Sequence, residues 1–167
     1  MSAIRAMLDD DLPRVLDVQR QSFTPDLVER DAVILDRYAR FGEDFFVALA
    51  GDIIAGYTLC FPWKLGTFPP HDELFPETLP EPDSFFIQDL SVHRDYRGRR
   101  LSKDLLKAIF ARAKQRGYRQ VALVAVAQSG TYWDSQGFRV LPGQSSAALA
   151  YLSSSYGEGA RLMVADV

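Results

Sequence analysis

Two hydrophobic periods alternate along the chain, and their order sets the expected elements. From about Asp9 or Asp10, Leu12, Val15, Leu16 and Val18 lay an imperfect apolar stripe along a helix that runs through Gln19. The acidic start suits the positive helix end, and Pro13 falls where a first turn tolerates it. A second helix is expected within residues 25–40, with Leu27, Val28, Ile34 and Leu35 inward. The period then shortens. FFVALA (45–50), the tight turn Gly51-Asp52 and IIAGYTLCF (53–61) read as an antiparallel hairpin.

Residues 62–83 contain six prolines together with Trp63, Phe68 and Phe75, so the backbone lacks many donors that a central strand or helix needs. This stretch reads as a long, partly rigid loop, either a binding loop or an insertion pinned by its aromatics. SFFIQDLSV (84–92) is the next strand, followed by the turn HRDYRGRRLS and the helix LSKDLLKAIFARAKQRG. Leu101, Leu105, Ile109 and Ala113 form that helix's buried stripe, and Gly117 is its expected stop. QVALVAVA (120–127) is almost wholly apolar, as expected when both faces of a sheet are covered. A short helix at 131–136, a strand from Gly137, a polar small-residue stretch at 143–159 and a final strand ARLMVADV complete the order. The sum is an α+β sheet domain with a ligand turn near its middle. A length of 167 residues suits one domain, 1–167.

Charge sharpens the picture. Residues 93–119 hold ten Lys or Arg against Asp95 and Asp104, whereas residues 68–89 hold six acids and no Lys or Arg. One segment suits an anion and the other a cation. Several basic side chains, among them Lys103, Lys107, Arg112, Lys114 and Arg116, equally suit the solvated face of a helix. Because the basic residues gather at one glycine-containing turn rather than over a whole face, a small polyanion fits them better than nucleic acid, and no nucleic-acid partner is expected. A single Cys60, in an apolar run that implies burial, excludes a disulfide framework, and with only His71 and His93 no metal is expected. No apolar run reaches the length of a membrane span, and the N-terminus meets three aspartates before a secretory stretch could form. The expectation is a cytoplasmic protein without a membrane partner, monomeric or homodimeric.

A turn between a strand and a helix N-terminus presents unpaired N–H groups to phosphate. Tyr96-Arg97-Gly98-Arg99-Arg100-Leu101-Ser102 has that arrangement, yet it is neither GxxxxGK[ST] nor GxGxxG, which argues against ATP and NAD chemistry. The combined pattern IQDLSV, HRDYRGRRLS, KDLLKAIFARAKQRGY, VALVAVA and YWDSQGFRV resembles the Gcn5-related N-acetyltransferase family. The resemblance covers the whole chain in element order, with its motifs in residues 87–138. It implies a three-layer α/β/α fold around a mixed sheet with a splayed parallel strand pair, and acetyl-CoA as cosubstrate.

In that family Q/R-x-x-G-x-G/A wraps the pyrophosphate. Arg97 takes its first position here, while Arg100 and Ser102 stand at its two small positions, Arg100 departing from glycine. The resemblance thus implies cofactor contacts from Leu90, Ser91 and Val92, from Arg97, Gly98, Arg99, Arg100, Leu101 and Ser102, and from Trp133 beside the thioester. It also implies transfer of acetyl to a primary amine of a small molecule or peptide by direct attack in a ternary complex. Asp89 is the carboxylate placed to take the amine proton, or else it orients the adjoining loop. The family's acidic tyrosine falls on Trp133, which leaves Tyr132, one residue earlier, as either the proton donor or a packing residue. Trp63, Phe68, Phe75 and Gln88 are the expected acceptor-binding residues, through cation–π and polar contacts. The rival reading is a noncatalytic acyl-CoA sensor or interaction domain, motivated by Arg100 and Trp133.

Overall fold

The computed structural model describes residues 3–167. In chain order it contains β1 (Ala3–Ala6), α1 (Leu12–Ser22), α2 (Asp31–Phe41), β2 (Phe46–Ala50), β3 (Ile53–Trp63) and β4 (Ser84–Val92). It continues with α3 (Leu101–Gln115), β5 (Gln120–Ala125), α4 (Gly130–Ser135), β6 (Arg139–Val140), α5 (Ser146–Tyr156) and β7 (Arg161–Asp166). The strands form one mixed sheet in the order β1-β2-β3-β4-β5-β7-β6. Only β4 and β5 run parallel.

Helices cover both faces, giving three layers. On one side Val15, Leu16 and Val18 of α1, Ile34 of α2 and Leu152 of α5 pack on Tyr57, Leu59 and Phe61 of β3. On the other, Leu106, Ile109 and Ala113 of α3 and Trp133 of α4 pack on Ile87, Val121 and Leu123. The expected α3 stripe of Leu101, Leu105, Ile109 and Ala113 is buried throughout, and Cys60 is buried. Gly117 ends the helix region with φ +84, a conformation that glycine adopts without steric cost.

Three elements differ from the sequence expectation. β1 was not expected; it adds to the sheet edge by pairing Ala3–Ala6 with Phe46–Leu49 of β2. The stretch 143–159, read as polar and irregular, contains α5, started by Ser145, whose hydroxyl accepts from the Ala148 N–H at 3.1 Å. Helix α2 begins only at Asp31 and turns Val33, Ile34 and Arg37 inward, leaving Leu35 43% exposed.

The parallel pair β4–β5 is joined only from Phe85–Ile87 to Val121–Leu123. Beyond that the two strands separate, and a gap opens between Gln88–Val92 and the end of β5. A bulge sits at the same level: Leu59 pairs with Asp89 and Cys60 with Ile87, so Gln88 has no opposite residue on β3. Strict alternation would send Gln88 and Asp89 to opposite faces. With the bulge, both side chains reach the layer of α1 and α2: Gln88 bonds to Arg37 and Glu29, and Asp89 to Tyr57.

Candidate active site

A cavity of about 660 Å³ occupies the gap between β4 and β5. Its wall runs from the basic turn before α3, along Leu90, Ser91 and Val92, to Gln88, Asp89 and the residues between α1 and α2. The volume lies in the ordinary range for small-molecule sites.

At the basic end, α3 starts from Arg100, which has φ +67, and Gly98 has φ +79. Arg100 thus adopts the left-handed backbone that glycine takes at little cost, and a residue with a β-carbon there carries strain of about 1 kcal/mol. The first N–H groups of α3 have no helical acceptor and, with the helix dipole, favour an anion. Arg97, Gly98, Arg100, Leu101 and Ser102 all line the cavity. Arg99 does not; its guanidinium lies over the Tyr96 ring at 5.1 Å. These residues fit the pyrophosphate of CoA: a charge-complementary turn for the phosphates, and main-chain groups of Leu90–Val92 on a strand edge that β5 leaves unpaired. Gly56 on β3 is packed so tightly beneath this edge that a β-carbon would lie 2.8 Å from the Ser91 carbonyl oxygen.

At the centre, Asp89 is 7% exposed. Its carboxylate accepts hydrogen bonds from the Tyr57 hydroxyl and from Ser91 Oγ, the latter at 2.9 Å. Burial pushes its pKa up from 3.8 to about 7; the hydrogen bonds from Tyr57 and Ser91 oppose that rise, and the charge on Glu29 adds to it. A carboxyl at that value is ionised for part of the time at neutral pH and strong enough as a base to hold a proton. Across the gap, Tyr132 and Trp133 of α4 both line the cavity, with their rings in edge contact at 5.0 Å. The Tyr132 hydroxyl is buried and has no hydrogen-bond partner among the described residues. Trp133 also packs edge-on against Phe138 at 5.3 Å and closes the cavity toward the α3 layer.

The expected aromatic acceptor site is not on the cavity wall. Trp63 and Phe75 are 5% and 6% exposed, stacked on each other at 5.1 Å and joined to Phe61 in the core. The cation over Phe75 is the protein's own: the Arg37 guanidinium lies 3.4 Å from the ring centroid. Phe68 stacks on Tyr151 at 5.3 Å and touches Tyr156, which ties the proline-rich loop to α5. Two of the loop's acids are occupied as well, Asp72 with Arg30 and Asp83 with Lys64. Gln88 does line the cavity. Its Oε1 accepts from Arg37 Nε at 2.8 Å and its Nε2 donates to Glu29 Oε1 at 2.8 Å, so the amide is locked in one orientation.

Glu29, Gln19, His71, Tyr57 and Tyr156 escaped the sequence reading. Glu29, Gln19, His71 and Tyr156 line the cavity, and Tyr57 supports Asp89 from β3. Glu29 and Gln19 sit in or beside polar helical stretches with no motif, and Tyr156 closes the helix that was not expected. Only contacts between residues distant in sequence bring them together. Among the described residues, no group of three or more His, Cys, Asp or Glu side chains is placed to hold a metal ion, and no helix is long and apolar enough to cross a membrane.

A strand pair that parts over a cavity, a basic turn at a helix N-terminus at one end and a buried carboxyl in the middle make a site suited to acyl transfer from a phosphate-bearing carrier. The model of the Acetyltransferase (GNAT) family matches residues 10–138, and the chain belongs to that family. Among solved structures it is similar to Ard1 from Thermoplasma volcanium, at 17% identity over 99% of this chain and 97% of the other, with a TM-score of 0.72. It is also similar to the PaiA N-acetyltransferase from Thermoplasma acidophilum in complex with coenzyme A (14% identity, 100% and 99% covered, TM-score 0.69). The loading GNATL domain of CurA from Lyngbya majuscula aligns equally fully (12% identity, 99% and 98% covered, TM-score 0.74). A sequence search of curated proteins gave no match. Acetyltransferase chemistry on the GNAT fold is therefore the general activity, with CoA as the carrier that the fold binds.

Proposed function

We propose that the chain transfers the acetyl group of acetyl-CoA to a primary amine of a small molecule or peptide, by direct attack in a ternary complex. The observation that carries this reading is Asp89, a buried carboxyl with a pKa near 7 on the cavity wall where β4 and β5 part.

An amine with a pKa near 10 arrives mostly as ammonium. Asp89, ionised, removes one proton, and the freed nitrogen lone pair attacks the thioester carbonyl carbon. A C–N bond forms, the tetrahedral adduct collapses with loss of the nitrogen's second proton to solvent, the C–S bond breaks, and the sulfur leaves as thiolate. Tyr132 lines the cavity and its buried hydroxyl has no hydrogen-bond partner among the described residues; it supplies the proton that converts the thiolate to free CoA thiol and is reprotonated from solvent. Tyr57 and Ser91 hold the Asp89 carboxyl in place, and Trp133 excludes water from the thioester. Arg97 and the backbone N–H groups of the turn and of the first turn of α3 hold the phosphates.

The test is release of free thiol from acetyl-CoA by the purified protein across small amines, polyamines, amino acids and short peptides, with CoA binding measured in parallel. Acceptor-dependent thiol release is the expected result. CoA binding without release across the whole panel would overturn the transfer reading in favour of an acyl-CoA sensor.

A further inference from the structure

The acceptor end of the cavity is built around two carboxylates, Glu29 and Asp89, each 7% exposed. Among the described residues neither forms an ion pair. Glu29 is held rigidly. Its Oε1 accepts from Gln88 Nε2 at 2.8 Å and its Oε2 from the Asp72 N–H at 3.0 Å. Its own N–H donates to Gln19 Oε1 at 2.8 Å, and its carbonyl accepts from Gln19 Nε2 at 3.3 Å. A carboxylate offers about four acceptor positions, so about two remain for a donor in the cavity.

The nearest buried cation does not neutralise it directly. Arg37 is fully buried, with Nε on Gln88 Oε1 at 2.8 Å, Nη2 on the Glu73 carbonyl at 2.8 Å and its guanidinium over Phe75. It makes no hydrogen bond to Glu29 and is joined to it by the Gln88 amide, although its charge and that of Glu29 attract. That relay has an orienting effect: Arg37 can only donate, so it fixes Oε1 of Gln88 toward itself and Nε2 toward Glu29. Two buried carboxylates on one wall, without a directly bonded cation, are costly unless positive charge enters the cavity. The reacting ammonium supplies one such charge, and it is lost when Asp89 takes its proton. A second positive charge would persist through the step.

We infer that Glu29 is the specificity-determining residue of the acceptor end and selects aliphatic diamines and polyamines, receiving the distal ammonium while the proximal nitrogen reacts beside Asp89. The inference rests on the transfer reaction proposed above and adds the class of acceptor. The Gln88 bulge is what makes it geometrically consistent, because it brings Gln88, and through it Glu29, to the same side of β4 as Asp89.

The experiment compares 1,4-diaminobutane, its mono-N-acetyl derivative and n-butylamine as acceptors for the full chain and for Glu29→Gln. In the wild-type protein, kcat/KM for the diamine should exceed that of both others by tenfold or more, since acetylation of one end keeps the length and removes the distal charge. In Glu29→Gln that ratio should fall to within about twofold of unity, mainly through a higher KM for the diamine relative to n-butylamine. Equal use of the three acceptors by the wild-type protein, preference for a peptide N-terminus over the diamine, or a ratio that survives Glu29→Gln would overturn the inference. Should the variant fail to fold, the wild-type comparison of the diamine with its mono-acetyl derivative decides. Calorimetric titration of the diamine into the CoA-bound protein separates this inference from the reaction it rests on. Binding of the diamine that Glu29→Gln abolishes, without any turnover, would sustain the charge selection and overturn the transfer reading; absence of binding would overturn the charge selection itself.

Discussion

Replacing Asp89 with asparagine keeps the side chain's size and its capacity to accept from Tyr57 while removing its charge. Burial raises this carboxyl from 3.8 to about 7, so the substitution has two consequences, one for turnover and one for stability. As a base, Asp89 works only when ionised. In the wild-type protein kcat at saturating acceptor should therefore fall about tenfold per pH unit on the acid side of about 7 and level off on the alkaline side. For stability the sign runs the other way. Between pH ~4 and ~7 the folded protein retains a proton that the unfolded chain has released, so stability declines as pH rises through that window. A difference of about three pKa units, at about 1.36 kcal/mol each, corresponds to about 4 kcal/mol lost above pH ~7. Asparagine, neutral throughout, does not suffer that loss. Asp89→Asn should thus lower kcat by about 10² to 10⁴-fold and flatten its pH profile, while melting above wild type at pH 8 by on the order of 10 °C and together with it near pH 4. Thiol release under saturating acetyl-CoA reads the first effect and scanning calorimetry the second. An inflection near pH 7 that persists in the variant would remove Asp89 from the base role. Coincident melting at pH 8 would show that its charge is not desolvated as argued.

Two further substitutions probe the rest of the cavity. Tyr132→Phe removes a buried hydroxyl that has no partner among the described residues, so kcat should drop about 10 to 100-fold while CoA affinity stays within twofold and the melting temperature is unchanged or higher; unaltered kcat would assign sulfur protonation to solvent. Arg100→Gly releases the strain at φ +67 and should stabilise the fold by about 1 kcal/mol, with CoA bound within a few-fold because backbone N–H groups do the holding. A tenfold weaker CoA complex in calorimetry would instead mark the Arg100 guanidinium as a phosphate ligand.

What was legible in the sequence was what is local. The β4 strand, the turn at Arg97–Ser102 and the α3 stripe follow from residues adjacent or four apart in the chain, and each sits where expected. α5 was hidden because its serine-rich sequence buries only Leu152 and so carries almost no amphipathic signal. The aromatic loop misled for a different reason. Its composition correctly implied cation–π contact, but composition does not say whose cation: the buried Arg37, 38 positions upstream of Phe75, took the ring that seemed free for substrate. Glu29 was invisible because its significance lies entirely in Gln88, Gln19 and Asp72, which reach it from three other parts of the chain.

The bulge at Gln88 links these observations. Without it, a two-residue alternation would place Gln88 and Asp89 on opposite faces, and the carboxyl proposed to take the proton would be separated by the sheet from the amide that orients Glu29. With it, one strand sets the whole axis of the site. Gln88 and Asp89 mark the acidic acceptor end. Beyond them the edge of Leu90–Val92 runs on for about 3.3 Å per residue, or roughly 10 Å from Asp89 to Val92, before the chain turns into the phosphate-wrapping end at Arg97–Ser102. Opposite electrical ends on a single β-strand fix the direction in which a ligand lies. Among the described cavity residues a polyanion finds complementary charge at the α3 turn and a cation beside Glu29 and Asp89, so in the proposed reaction the phosphates and the amine take opposite ends of the cavity, with the thioester reaching Asp89 between them.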